Sequence, residues 1–162
     1  MKLDELLAGT IDLHCHVYPE MTLEHEARQD DIDLIEGALK ARMGGVLLKS
    51  HFWPTVERVY YLKKRFPEIR IFSSITLNRV AGGVDPLVVE SAALQGASAV
   101  FFPTWQAAND LERVGFSRLV RERLPRVASD RRPGLTIVDN GRLTTEASEV
   151  LGVAKSFNML VC

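Results

Sequence analysis

Gly9-Thr10-Ile11-Asp12-Leu13-His14-Cys15-His16 is the stretch that decides the fold of this chain. Ile11, Leu13 and Cys15 alternate with Asp12, His14 and His16, the period of two that marks a strand with one apolar and one polar face. A dinucleotide-binding sheet would place Gly-x-Gly-x-x-Gly directly after this strand, and His14-Cys15-His16 stands there instead. Downstream, residues 30–43 carry Ile32, Ile35, Leu39 and Met43 along one helical stripe, stopped by Gly44-Gly45. Residues 45–51 are a short apolar run ending in Lys49, Ser50 and His51, the pattern of a strand buried on both faces. The cycle repeats: helix over 56–66, strand over 69–77, helix over 86–95, strand over 99–102, helix over 111–124, strand over 135–138 and helix over 145–157. Residues 159–162 open a sixth strand.

Strict alternation of strands and helices with short connections predicts a parallel sheet with helical crossovers. An open doubly wound sheet and a closed eight-unit barrel both satisfy it, and the missing glycine fingerprint favours the barrel. A full barrel typically needs ~250 residues, so 162 residues hold about five of its eight units. The expectation is an α/β chain forming a partial or distorted TIM-like (β/α) barrel, a single domain over residues 1–162 that lacks the C-terminal part of a longer protein.

Twenty basic and 21 acidic side chains give a net charge of -1, which provides no global field for a nucleic acid or an anionic membrane. Six arginines between Arg118 and Arg132 form the one basic stretch, but helical spacing spreads them around the axis and Phe116 is their lone aromatic neighbour, so a solvated helix and loop is expected. No apolar run approaches the ~20 residues of a membrane span, and Asp4 and Glu5 occupy the place of a secretory signal core. Cys15 and Cys162 cannot build a disulfide framework and are expected reduced, in a cytoplasmic protein. Gly-x-Ser-x-Gly is absent, and strand alternation turns Cys15 away from the histidines.

His14 and His16 lie two strand positions apart on one face, a spacing at which two imidazoles bind one divalent cation. Asp12 shares that face. In a parallel barrel the carboxyl ends of the strands carry the active site, and His51 follows the second strand at the same mouth. Lys49 points the same way and suits a carboxylated metal bridge, a clamp for substrate phosphate or carboxylate, or a base with a lowered pKa; an ion pair with Asp12 is the plain alternative. Asn78 and Thr104, at the ends of the third and fourth strands, are placed to meet substrate. Gly82-Gly83 before the Asp85-Pro86 helix start suits a tight turn, Trp105 either walls the pocket or fills the core, and His25 is expected to be solvated.

Taken in order, Ile11 to His16, Leu47-Leu48-Lys49-Ser50-His51, Leu77-Asn78 with Gly82-Gly83 and Pro86, and Phe102-Pro103-Thr104 resemble an uncharacterised branch of the amidohydrolase-like, metal-dependent hydrolases. The resemblance runs over most of the chain; the first motif is also shared with the polymerase-and-histidinol-phosphatase-like phosphoesterases. It implies a distorted barrel with His14 and His16 as first-strand metal ligands and His51 as a further one. It also implies later His and Asp positions, among them a Thr-Gly-His segment directly after Cys162. The function expected is hydrolysis of an amide, cyclic amide, ester or phosphoester by a metal-activated water. The cation is a divalent metal, zinc first and manganese or iron next; Asp12 and Lys49 serve the chemistry, and Asn78 and Thr104 the substrate. The expected partners are a small-molecule substrate and a second copy of the chain, with no nucleic acid and no membrane. A catalytically silent metal- or ligand-binding partial barrel is the alternative.

Overall fold

The computed structural model describes residues 3–23, 28–113, 115–124, 126 and 130–162. Five strands run parallel in one sheet: β1 (Ile11–Cys15), β2 (Gly45–Leu48), β3 (Arg70–Thr76), β4 (Ala97–Phe101) and β7 (Leu160–Val161), in that spatial order. The sheet curls into a half-barrel, the expected partial TIM-like arrangement. A short α1 (Leu3–Leu7) precedes it, and α2 (Asp31–Lys40), α3 (Val56–Arg65), α4 (Pro86–Leu94) and α7 (Thr145–Ser156) are the crossovers. Each start has a local cause. Asp30 and Asp33 form a reciprocal capping box on α2; Asp85 accepts from the Leu87 N–H with Pro86 in the first turn of α4; Thr144 accepts from the Ala147 N–H at α7.

Strand pleating divides the core. On the helix side, Cys15, Val46, Leu48 and Ile71 pack on Ile35, Val59 and Leu62, while Ile75, Leu77 and Val100 pack on Val89, Ala92, Val150 and Ala154. Inside the curve, Leu47, Ala99 and Phe101 close with Phe72. Phe52, Trp105 and Val120 make a cap at the carboxyl end, so Trp105, 1% exposed, belongs to the core.

Three expectations are corrected. Residues 135–138 do not form a strand of the sheet: Leu135 makes an isolated parallel bridge to Ala107, and β5 (Val138–Asp139) pairs antiparallel with β6 (Arg142–Leu143). Asn140 and Gly141 both have positive φ, the two-residue hairpin turn that Asn-Gly favours, so the chain doubles back before reaching the sheet. The C-terminal strand is therefore the fifth of the sheet, where a sixth was expected. The helix over 111–124 is two helices, α5 (Ala108–Arg113) and α6 (Phe116–Arg123), because the Asp110 carboxylate accepts from the Phe116 and Ser117 N–H groups and starts α6 afresh. In β1 the register shifts between Asp12 and Cys15, which leaves Leu13 49% exposed and breaks the simple alternation. Among the described residues, no helix is long and apolar enough to cross a membrane. His25 lies outside the described residues.

Leu48 is 1% exposed within the β1–β2–α2–α3 core. Leu48→Ala is expected to cost ~2–5 kcal/mol, read from the denaturant midpoint.

Candidate metal centre

Parallel strands bring their carboxyl ends to one rim, so residues far apart in sequence meet there. His16 follows β1, Lys49 and His51 follow β2, Asn78 follows β3 and Thr104 follows β4. His16 and His51 meet as expected and one residue is added, while His14, expected as a ligand with them, lies beside His16 and outside the group. The chain turns after His16 through the cis Tyr18–Pro19 bond, and Glu20 joins the histidines. His16, Glu20 and His51 each offer a ligand atom within 4.8 Å of the others, a spacing that can hold a metal ion.

The polar groups form a row. Lys49 Nζ lies 3.2 Å from His14 Nε2, which lies 3.1 Å from His16 Nε2; His16 Nδ1 is 3.4 Å from Glu20 Oε1, and Glu20 Oε1 accepts from the His51 N–H at 2.7 Å. The His16 and His51 rings stack with centroids 4.4 Å apart, and Phe116 packs on His51, tilted by 35° with centroids 4.7 Å apart. With His14 and His16 both neutral, Lys49 donating to His14 Nε2 and His16 Nδ1 donating to Glu20, two imidazole lone pairs face each other at 3.1 Å. Glu20 Oε2 is buried with no hydrogen-bond partner. A cation would give Glu20 Oε2 a partner, and this donor set of two imidazoles and a carboxylate suits one.

Electrostatics favour neutral nitrogen ligands. Burial first, then the neighbouring His16, Lys49 and His14, push His51 down from 6.5 to about 3. Burial and then Lys49 and His16 lower His14, against an opposing pull from Asp12. Burial lowers Lys49, with Glu20 and Cys162 opposing. Burial and then Asp12 push the Cys15 thiol up to about 12, so this packed cysteine is no nucleophile.

Behind the histidines stands a saturated brace. Asn78 is 0% exposed; its Nδ2 donates to the His51 carbonyl at 2.9 Å and to Thr104 Oγ1 at 2.8 Å, and its Oδ1 accepts from the Thr104 and Gln106 N–H groups. The His51 carbonyl also accepts from Trp105 Nε1 at 3.4 Å. Thr104 Oγ1 lies 2.8 Å from His51 Nδ1. Asn78 and Thr104, expected to meet substrate, thus hold His51 in place, and all the hydrogen-bonding capacity of the Asn78 amide is spent inside the protein. Asp12 stands outside the cluster, where its carboxylate accepts from the His14 N–H at 2.9 Å. Lys49 makes no ion pair with Asp12; its ammonium rests 4.5 Å from the Phe101 ring centroid. Gly82 and Gly83 have positive φ and end the turn over Arg79–Ala81, the turn expected of them.

Sequence reasoning missed Glu20. The available signal was its place four residues after His16 across Pro19, but a loop carboxylate carries no periodicity to show where it points.

The shift of His51 predicts a pH dependence. Below about 6.5 the unfolded imidazole binds a proton that the folded one refuses until about 3. The metal-free protein should therefore lose stability as pH falls through that window and hold the full contribution above it. Urea midpoints against pH should show this slope, and His51→Asn should flatten it.

No curated protein matches the chain. A family match covers residues 9–162, nearly the entire chain and every residue of the centre described above. The match is to the family of unknown function DUF6282, and the chain belongs to that family.

Proposed function

We propose that this chain is a metal-dependent hydrolase of amidohydrolase-like type, acting on a small molecule in the cytoplasm, with a divalent cation held by His16, Glu20 and His51 and with His14 beside it. The observation that carries the reading is the buried, unpartnered Oε2 of Glu20, a carboxylate grouped with the His16 and His51 imidazoles at the carboxyl rim of a half-barrel. A buried carboxylate oxygen without a partner costs ~1–3 kcal/mol or more, and cation binding removes that cost. The order of motifs from Ile11 to Thr104 agrees with it.

Zinc, or manganese or iron in its place, would supply Lewis acidity there, polarising an amide, cyclic amide, ester or phosphoester and making water acidic enough to attack near pH ~7. The chain's own groups prepare the site. With the Nδ1 proton of His51 given to Thr104 Oγ1, 2.8 Å away, Nε2 of that ring would be its ligand atom. Asn78 fixes Thr104 and the His51 backbone together, so ring and main chain cannot drift apart. Glu20 Oε1, bonded to the His51 N–H, holds the carboxylate in register with His16. Lys49 Nζ and His14 Nε2, 3.2 Å apart, are the pair able to pass a proton along the rim, and burial brings both toward neutrality.

Elemental analysis after dialysis against zinc should find near-stoichiometric metal in the native chain and its loss in His16→Ala and Glu20→Gln. Thr104→Val, which removes the hydroxyl shared by the His51 ring and Asn78 Nδ2, should weaken zinc binding by ~10–100-fold. Native metal content in both His16→Ala and Glu20→Gln would overturn the proposal.

A further inference from the structure

Next to the centre lies a cavity of about 320 Å³ bounded by His16, Val17, Glu20, Met21, His51, Phe116 and Leu119. Its size is at the small end for ligand pockets, roughly 300–1,000 Å³, so it suits part of a small molecule and not a dinucleotide. The polar wall is the proposed metal cluster itself. The remaining wall is apolar: Val17 from the segment after β1, Met21 from the loop, and Phe116 and Leu119 from α6.

We infer that the cavity is the specificity subsite of this hydrolase, taking an uncharged aryl or branched-alkyl group attached to the scissile carbonyl. The inference rests on the hydrolase reading for the reaction but not for the pocket's own preference. Two observations decide against an anionic group. No Lys or Arg lines the cavity among the described residues. The N-terminus of α6, which carries Phe116 over the cavity and in another setting could receive a phosphate, already gives its Phe116 and Ser117 N–H groups to the Asp110 carboxylate. Glu20 places a negative charge at the wall. Lys49, the buried cation nearby, is turned to the inner face of the sheet against Phe101 and His14 and does not line this space.

The positive case is equally local. Phe116 packs on His51, so a planar ring entering between Phe116, Met21 and Leu119 continues an aromatic stack that already exists at the rim. α6 is anchored by Val120, which is buried with Phe52 and Trp105, and so Leu119 is presented to the cavity from a fixed helix. Size selection then falls to Leu119 and Met21, which touch neither the histidines nor their brace in any hydrogen bond.

The test is binding of phenylacetamide, acetamide and inorganic phosphate to the full chain by titration calorimetry, with and without zinc. Phenylacetamide should bind at least tenfold tighter than acetamide in both states, and phosphate should bind the zinc-free chain more weakly than phenylacetamide. Leu119→Trp, which fills the cavity, and Leu119→Asp, which charges it, should each weaken phenylacetamide at least tenfold while zinc stoichiometry stays native. Equal affinity for acetamide and phenylacetamide, tighter phosphate binding by the zinc-free chain, or unchanged affinity in both Leu119 variants would overturn the inference. Phenylacetamide binding in a chain that takes up no zinc would sustain the subsite and sink the hydrolase; zinc without phenylacetamide binding would do the reverse.

Discussion

The amide of Asn78 is the joint on which the rim depends. It is buried, so every donor and acceptor it carries must be met, and its partners lie on two other segments, the loop after β2 and the chain after β4. The loop after β2, the end of β4 and Gln106 are thereby fixed to the end of β3. Hydrogen bonds of this kind contribute only ~1 kcal/mol each to stability, but leaving any one of them open in the interior costs the desolvation of the group. That asymmetry makes the brace a positional constraint more than a source of stability. His51 inherits its position from it through both its carbonyl and its ring.

Against this saturated brace, the row in front of it is deliberately incomplete. Lys49, His14, His16 and Glu20 are close enough to interact, neutral His14 and His16 rings meet lone pair to lone pair, and Glu20 Oε2 has no hydrogen-bond partner. Polar defects of this kind are tolerated where function requires them and where packed surroundings offset the cost. Here the surroundings are the apolar layers on both sides of the sheet and the Phe52–Trp105–Val120 cap beneath the rim. A site braced behind, with an unpartnered carboxylate oxygen in front, is one that a ligand supplying positive charge could complete.

The two helices, α5 and α6, that stand where a single helix over 111–124 was expected give the site its second character. Because Asp110 restarts the backbone at Phe116, α6 changes direction and lays Phe116 and Leu119 over the rim. An unbroken helix through this region would have carried those side chains along a different stripe. The arginines that made the segment conspicuous stay at the surface, with Arg118 near Glu122 and Arg132 paired to Asp130. What matters at the site is the apolar side of the same helix.

The repeated switch between a period of two and a period near 3.6 is a local property, and it made the parallel α/β layers legible in the sequence. So did the placing of His14, His16, Lys49, His51, Asn78 and Thr104, because in such a sheet the residues that follow strands share one rim whatever their separation along the chain. Two local signals were present and overruled by a broader pattern: Asn140-Gly141, which sends residues 138–143 into a hairpin, and Gly115 with Asp110, which divides a helix. Tertiary structure alone decided the rest. The register shift in β1 separates Asp12 from the histidines it precedes, Asn78 and Thr104 turn inward as a brace, and Glu20 enters the cluster from a loop. Periodicity reports which side of a strand or helix a residue occupies. It cannot report the direction of a loop carboxylate or the partners of a buried amide, because those are set by contacts between segments that meet only once the sheet has curled.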